Sequence, residues 1–284
     1  MYILLILLAF ILLSLTFFES DSNSIEHSYL FKIRLATIKA FIGIAFFSYI
    51  ICEIFSLFNL FSLSYVLISW VLINGIIIFL NKEKIKLSVF SIFSQKVIIP
   101  KKEKNILLFI FFLIILPLLL LAIFIAPNNW DSMAYHLPRV DHWIQNKNIY
   151  PYPTNIVRQV LTSPLSEYII ANFQILASTD SFSNLVQFAS FIFILFSATL
   201  FFSILKIGMK GQLFLLLALL SLPMMLFQAT TTQTDLLASF FFLSFILFAL
   251  LIIRTEANFK TNFIFLALSL TLGILTKYHI AIFA

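Results

Sequence analysis

The sequence predicts an all-α, polytopic transmembrane helical bundle, and two observations carry this prediction. Hydrophobic residues make up 62% of the 284-residue chain and charged residues only 11%, so a water-soluble fold would have too few polar groups to cover its surface. Several apolar runs also approach or exceed the roughly 18–20 residues that a helix needs to cross a bilayer. Such helices satisfy their own backbone hydrogen bonds inside lipid.

Eight apolar runs approach the length of a membrane span. Their predicted ranges are 2–18, 37–58, 60–80, 106–126, 184–205, 212–229, 235–253 and 262–284. The first is interpreted as a retained helix, because it has neither the basic start nor the cleavage site of a signal peptide. A ninth apolar segment, 164–177, is short and is predicted to be a re-entrant or interfacial helix. The chain stops within the last run, at Ala284, and we expect it to be the N-terminal portion of a longer protein.

The net charge of +6 is explained by the way lysine and arginine are distributed between loops. Positive residues in short loops are retained on the cytoplasmic side of a membrane. The loop 81–105 carries seven lysines. If that loop is cytoplasmic, the alternation of spans places seven further basic residues on the same side, namely Lys32, Arg34, Lys39, Lys206, Lys210, Arg254 and Lys260. The sequence therefore predicts a multi-pass protein of the plasma (inner) membrane that is attracted to anionic lipid and not to nucleic acid.

The same pattern divides the chain into two parts. Residues 1–105 are predicted to form an N-terminal three-helix segment with a basic cytoplasmic loop. Residues 106–284 are predicted to form the core of the bundle, which includes the extracytoplasmic loop 127–163. The single cysteine, Cys52, lies in an apolar run and offers neither a disulfide nor a cysteine-based metal site.

The outer loop 127–163 is the region richest in potential chemistry, since Trp, Tyr, His, Arg and Asp are concentrated there. Asn128 or Asn129 is expected to cap a helix that begins near Trp130. Pro138 removes a backbone donor within that helix and is expected to complicate or split it. The alternative interpretation of this stretch is an amphipathic interfacial helix with ordinary aromatic anchors.

Asp131, Tyr135 and Arg139 recur at four-residue intervals, which predicts that they share one face of a regular helix. Asp131 follows the preceding apolar run by a few residues, so its carboxylate is expected at the level of the lipid headgroups. A carboxylate there can act as a general base or hold a divalent cation against a phosphate. The alternative is a solvated residue of the first helical turn that complements the helix dipole.

Other ionisable residues are expected at the same outer face. Asp235 begins a span after a threonine-rich turn, and it is either a functional carboxylate or a cap matched to the helix dipole. Lys277 is predicted to lie inside the last span, where a role as a phosphate contact is favoured over a lysine that snorkels to the interface. Glu167 and Arg158 flank Pro164 and are either site residues or members of a loop ion pair.

These motifs resemble those of a known family. Asp131 with Tyr135 in the first large outer loop, the stretch TTTQTDLLASFF and the stretch LGILTKYH are similar to the membrane-embedded GT-C glycosyltransferases, in particular to bacterial relatives of the family 39 protein mannosyltransferases and aminoarabinose transferases. The resemblance covers roughly residues 105–284. It implies a GT-C-like bundle with juxtamembrane helices in the outer loop. It also implies transfer of a sugar from a polyprenyl-phosphate donor to a glycan, lipid or protein acceptor.

By this resemblance, Asp131 is the general base or the partner of a divalent cation, Mg²⁺ or Mn²⁺, and Lys277 approaches the donor phosphate. The substrate-binding residues that we expect around Asp131 are Tyr135, His136, Arg139, Arg158, Glu167, Asp235 and Lys277. Two features depart from the family pattern. Ser132 follows Asp131 where many relatives carry a second acidic residue, and three spans precede the loop where relatives often have one. The alternative functions are a transporter or flippase of a lipid-linked or anionic solute, and a scaffolding subunit without activity.

Overall fold

The apolar runs of the sequence form helices throughout the residues that the computed structural model describes, namely 2–18, 29–95, 99–254 and 258–283. Within these ranges there is no β-strand. The helices are α1 (Leu4–Phe17), α2 (Tyr29–Leu57), α3 (Leu63–Ser94), α4 (Lys101–Ile110), α5 (Leu116–Phe124), α6 (Leu137–Asn146), α7 (Arg158–Leu161), α8 (Leu165–Ala177), α9 (Leu185–Ile204), α10 (Met209–Leu220), α11 (Pro223–Gln228), α12 (Asp235–Arg254), α13 (Phe259–Thr276) and α14 (Ile280–Phe283). Two π-helical turns, Phe111–Ile115 and Ser132–His136, lead into α5 and α6.

Six helices in the described ranges are long and apolar enough to cross a membrane. They are α2, α3, the continuous α4–α5 helix, α9, α12 and α13. The protein is therefore a multi-pass helical membrane protein. Two predicted spans are shorter than expected, because α1 has 14 residues and α10 has 12. The predicted span 212–229 is broken before Pro223, whose ring and missing N–H prevent the preceding helix from continuing.

Basic residues lie on helices in several places where the sequence predicted loops. Most of the predicted loop 81–105 belongs to the end of α3 and the start of α4, although its Lys96 lies outside the described residues. Lys39, within the predicted span 37–58, belongs to the interior of α2, where it is only 2% exposed and its ammonium lies 5.6 Å from the ring of Phe265. The loop prediction was wrong for residues 81–94 and 101–105, because lysine is a good helix former. An apolar run therefore underestimates the length of its helix.

The last predicted span is also shorter than expected. α13 ends at Thr276, and Lys277 leaves the helix with extended backbone angles (φ −151°, ψ 124°). The prediction that Lys277 lies inside a span is therefore wrong, and the residue lies at the end of a helix. Run length did not show this end, because Lys277, Tyr278 and His279 form only a short interruption before apolar residues resume in α14. The predicted end of the span at Ala284 lies outside the described residues.

Contacts between helix ends divide the bundle into two faces. One of them, which we call the loop face, carries the outer loop, the turn between α2 and α3, the end of α5 and the start of α9. The hydrogen bonds that join these parts run from Asn184 Nδ2 to the Ile125 carbonyl (2.9 Å) and from Phe61 N to the Lys147 carbonyl (3.0 Å). At the opposite face, Arg34 near the start of α2 donates to Gln212 near the start of α10 (2.9 Å).

The helix α8 is too short to cross the membrane and is buried inside the loop-face half of the bundle. It has 13 residues, and those from Leu165 to Asn172 are all buried. It packs against α2, α3 and α6, and its predicted re-entrant or interfacial position stays a prediction. Asn172 fixes α8 there by accepting a hydrogen bond from Trp70 Nε1 of α3 (3.0 Å) and donating one to the Ser48 carbonyl of α2 (3.4 Å).

The two faces predict the sidedness of chemical labelling. Asn155 and Lys210 are exposed on the loop face and the opposite face respectively, whereas the native Cys52 is fully buried. We expect Asn155→Cys and Lys210→Cys to react with a membrane-impermeant maleimide from opposite sides of sealed vesicles. Unmodified protein serves as the control for background labelling. Labelling of both positions from the same side would contradict the arrangement.

The Asn172 contacts predict a loss of stability in Asn172→Leu, which leaves the buried Trp70 indole N–H without an acceptor. An unsatisfied buried donor costs about 1–3 kcal/mol. We therefore expect a lower thermal unfolding midpoint in detergent, whereas Asn155→Leu at an exposed position should leave it unchanged. Because the two residues share one hydrogen bond, the cost of Asn172→Leu should shrink when it is combined with Trp70→Phe. Full additivity would show that the bond does not hold α8 in place.

Candidate functional site

A cavity of about 480 Å³ opens at the loop face, where four separate parts of the chain meet. We call it the loop-face cavity. Its walls come from the π-helical turn before α6, from α7 and the residues after it, from the junction of α11 with α12, and from the end of α13. Six of the predicted site residues line it, namely Asp131, Tyr135, His136, Arg158, Asp235 and Lys277. The structure thus brings together residues that are up to 146 positions apart in the sequence.

Asn129 positions the helix that carries Asp131. Its side-chain oxygen accepts a hydrogen bond from the backbone N–H of Ser132 at 2.7 Å, and the helix begins at Trp130. This is the geometry of an N-cap, in which a side chain satisfies one of the unpaired N–H groups of the first turn. The predicted cap and helix start are therefore confirmed, and Asn129 rather than Asn128 is the capping residue.

Pro138 does not split this helix, contrary to the expectation from sequence. The wider π-helical turn Ser132–His136 precedes the proline, and α6 continues to Asn146. In a regular α-helix the residue at position 138 would donate to the carbonyl of Ala134, which proline cannot do. That carbonyl instead accepts a hydrogen bond from Gln159 Nε2 at 2.8 Å. The proline therefore helps to join α7 to the helix that carries Asp131.

The π-helical turn also changes which residues share a face. Asp131 and Tyr135 line the loop-face cavity, but Arg139 does not. Arg139 is buried and donates from Nη1 to both the carbonyl and the hydroxyl oxygen of Thr162, at 2.9 Å each. The prediction that Arg139 shares a face with Asp131 was wrong, because it assumed a regular repeat of 3.6 residues per turn and a π turn breaks that repeat.

The Asp131 carboxylate is held by two side chains at the rim of the cavity. Its Oδ2 accepts a hydrogen bond from Gln233 Nε2 at 3.0 Å, and its Oδ1 lies 3.7 Å from Arg158 Nη1. The side chain of Arg158 is 69% exposed, and an ion pair so open to solvent contributes at most about 1 kcal/mol. The Arg158 guanidinium also lies 5.7 Å from the centre of the Tyr135 ring. Arg158 is therefore the cation most easily redirected to a ligand.

Tyr135 stays protonated across the physiological pH range. Partial burial raises the pKa of its phenol to about 12, and the nearby negative charge of Asp131 adds to the increase. A neutral phenol can donate a hydrogen bond as well as accept one. Tyr135 thus provides a neutral polar group between the charged residues of the cavity.

Asp235 and Lys277 form an ion pair at the wall of the cavity. Lys277 Nζ donates to Asp235 Oδ1, and Gln228 Nε2 donates to Asp235 Oδ2 at 3.2 Å. The Asp235 carboxylate is therefore engaged by side chains, which argues against its interpretation as a simple helix cap. This pair joins the start of α12 to the residue that follows α13. It holds the lysine ammonium at the cavity wall.

Glu167 lies beneath the cavity and not in it. Its side chain is fully buried, and its Oε1 is 2.8 Å from His136 Nδ1 and 3.7 Å from Arg139 Nη1. Burial by itself raises the pKa of this carboxyl group, but the hydrogen bond with His136 and the positive charge of Arg139 outweigh burial and lower it. Glu167 is therefore a buried carboxylate, and the expectation of a weak surface ion pair was wrong.

Sequence reasoning missed the residues that bring the outer loop against α12. Ser132, which follows Asp131 in the chain, is fully buried and accepts a hydrogen bond from Thr232 Oγ1 at 2.7 Å. Gln233 then reaches Asp131, as described above. Both Thr232 and Gln233 belong to the polar stretch TTTQT, which interrupts an apolar region. That polar interruption is the feature of the sequence from which these contacts could have been predicted.

The two carboxylates of the cavity are both engaged by side chains. Mg²⁺ and Mn²⁺ prefer several oxygen ligands in regular geometry, whereas the Asp131 carboxylate accepts a hydrogen bond from Gln233 and the Asp235 carboxylate pairs with Lys277. In the part of the chain that the structure describes, no three His, Cys, Asp or Glu side chains form a group able to hold a metal ion. The expected divalent cation at Asp131 stays a prediction.

Comparison with known proteins gives no match. No protein-family model, no curated protein and no solved structure is similar to this chain. The GT-C resemblance, which depends on three short motifs, therefore stays a prediction. The function has to be argued from the geometry of the loop-face cavity.

The buried Glu167 carboxylate predicts sensitivity to acid. The pKa of Glu167 is lower in the folded protein than in the unfolded chain. Its ionised form therefore stabilises the fold fully above about pH 4.5, and this stabilisation is lost as the pH falls through the pKa of the folded protein. We expect the thermal unfolding midpoint of the native protein to decrease across this acid range, and Glu167→Gln to decrease less. Glu83→Gln, which alters an exposed carboxylate on α3, should follow the native profile. Equal acid sensitivity of native protein and Glu167→Gln would contradict the assignment.

Proposed function

We propose that this protein is a glycosyltransferase that moves a sugar from a polyprenyl-phosphate donor to a hydroxyl of a glycan, lipid or protein acceptor. The reaction takes place at the extracytoplasmic face of the plasma (inner) membrane. The observation that carries the proposal is the loop-face cavity, in which Asp131, Arg158 and Lys277 line one space at the ends of membrane helices. The excess of lysine and arginine at the opposite end of the helices supports the extracytoplasmic assignment.

Glycosyl transfer needs a base at the incoming hydroxyl and positive charge at the departing phosphate. Asp131 is suited to be the base, since its Oδ1 has only a long contact with Arg158 (3.7 Å) and its side chain is 29% exposed. In a single displacement with inversion, the acceptor oxygen forms a bond to the anomeric carbon and gives its proton to Asp131. The bond from that carbon to the phosphate oxygen breaks, and its electron pair leaves with the polyprenyl phosphate.

Arg158 and Lys277 are suited to hold the phosphate. A guanidinium presents two parallel N–H donors to phosphate oxygens, and Arg158 is exposed and weakly paired in the absence of a ligand. Lys277 supplies a second positive charge, which Asp235 holds at the wall. Both cations line the same cavity, so we expect a phosphate within it to be contacted by both.

The position of the cavity suits a substrate that is anchored in lipid. α12 begins at Asp235 and α13 ends at Thr276, so two spanning helices end at the cavity. A polyprenyl tail can remain among the helices of the bilayer while its phosphate reaches the membrane boundary. The proposal therefore accounts for both the charges of the cavity and its placement.

Removing the base tests this function. We expect Asp131→Asn, in membranes supplied with a panel of polyprenyl-phosphate sugars, to reduce the rate of sugar transfer by about 10²- to 10⁴-fold, the usual contribution of a general base. Asp141→Asn is the matched control, because Asp141 is an exposed carboxylate on α6 outside this cavity. Thermal unfolding of both variants checks that they are folded. Full activity in Asp131→Asn would remove this residue from the mechanism, and solute movement without covalent change would favour a transporter.

A further inference from the structure

The imidazole of His136 is held rigidly at the floor of the loop-face cavity. The residue is 2% exposed and lines the cavity, so the cavity is its only route to a ligand. Its Nδ1 is turned toward Glu167, at 2.8 Å. Among the described residues, none hydrogen-bonds the other ring nitrogen, Nε2. Nε2 is therefore the atom that His136 can offer to a molecule in the cavity.

The partners of Glu167 decide which ring nitrogen carries the proton. Glu167 is a carboxylate, for the reasons given above, and a carboxylate can only accept hydrogen bonds. The imidazole must then carry its proton on Nδ1, and neutral His136 has a lone pair on Nε2. Arg139 stabilises the arrangement, because it lies 3.7 Å from Glu167 and stacks on Trp143 at 4.5 Å.

The structure assigns to His136 the role of a hydrogen-bond acceptor that binds, through Nε2, a hydroxyl group of the sugar in the loop-face cavity. Glu167 is the positioning residue that fixes the ring. This inference rests on the proposed function. It adds that the sugar of the donor, and not its phosphate, lies deepest in the cavity. A lone pair repels phosphate oxygens and attracts an O–H, so the sugar occupies the floor beside His136. The phosphate then stays near Arg158, which is exposed at the rim.

Deoxygenated donors test the contact directly. We expect one deoxy-sugar donor, which lacks a single hydroxyl, to have a kcat/KM about 10- to 100-fold lower than the full donor with native protein, since the loss leaves Nε2 without a partner. With His136→Phe the same two donors should differ by less than about threefold. His142→Gln is the matched control, because His142 is exposed on α6 and lies outside this cavity. Glu167→Gln should reduce the discrimination partly, and Glu167→Asp should restore some of it.

Two results would overturn the inference. Sugar transfer by native protein but not by Asp131→Asn would support the proposed function. If each deoxy donor then reduces kcat/KM by the same factor with native protein and with His136→Phe, the contact with His136 is absent and only the inference fails. If native protein transfers no sugar, the proposed function fails, and nitrogen-15 NMR of the histidine rings decides the inference without turnover. The Nε2 resonance of His136 should move when a polyprenyl-phosphate sugar is added. An unchanged resonance at saturating donor would rule the contact out, and thermal unfolding checks that each variant is folded.

Discussion

The organisation of the loop face depends on one buried carboxylate. Glu167 has no access to water, and an ionised group in such a place is tolerated only with opposite charge and hydrogen bonds around it. His136 and Arg139 supply these from the helix that carries Asp131, and Arg139 in turn holds Thr162. The requirement to match a single charge therefore draws the outer loop onto α8 and forms the floor of the cavity.

The walls of the cavity are set by contacts between segments that are distant in sequence. Ser132 joins the outer loop to Thr232 at the start of α12, and the pair of Asp235 with Lys277 joins α12 to the end of α13. Each contact lies at a helix end, where backbone groups and side chains are free of the regular helical pattern. The polar chemistry of the molecule is thus concentrated where the apolar helices stop.

Much of the architecture could be predicted from the sequence, because apolar run length and the cap at Asn129 act locally. The gathering of Asp131 and Lys277 in one cavity also followed, since the alternation of spans places their segments on one face. The end of α13 at Thr276 was not predicted, because the polar interruption 277–279 is short and apolar residues resume after it. The position of Arg139 depends on a π turn, which the regular helical repeat of 3.6 residues does not predict. The burial of Glu167 depends on the packing of α8 inside the bundle, which the sequence of α8 alone does not show. The division of the chain at residue 105 and the enzymatic activity stay predictions.

The burial of α8 has a consequence for the way the protein is assembled in the membrane. This helix carries Glu167, Asn172 and Gln174 within 13 residues, and such side chains are poorly accepted by lipid. It can occupy its place only when α2 and α3 already offer partners such as Trp70. Docking of α8 therefore requires α2 and α3 to be in place, and the floor of the cavity forms only together with them.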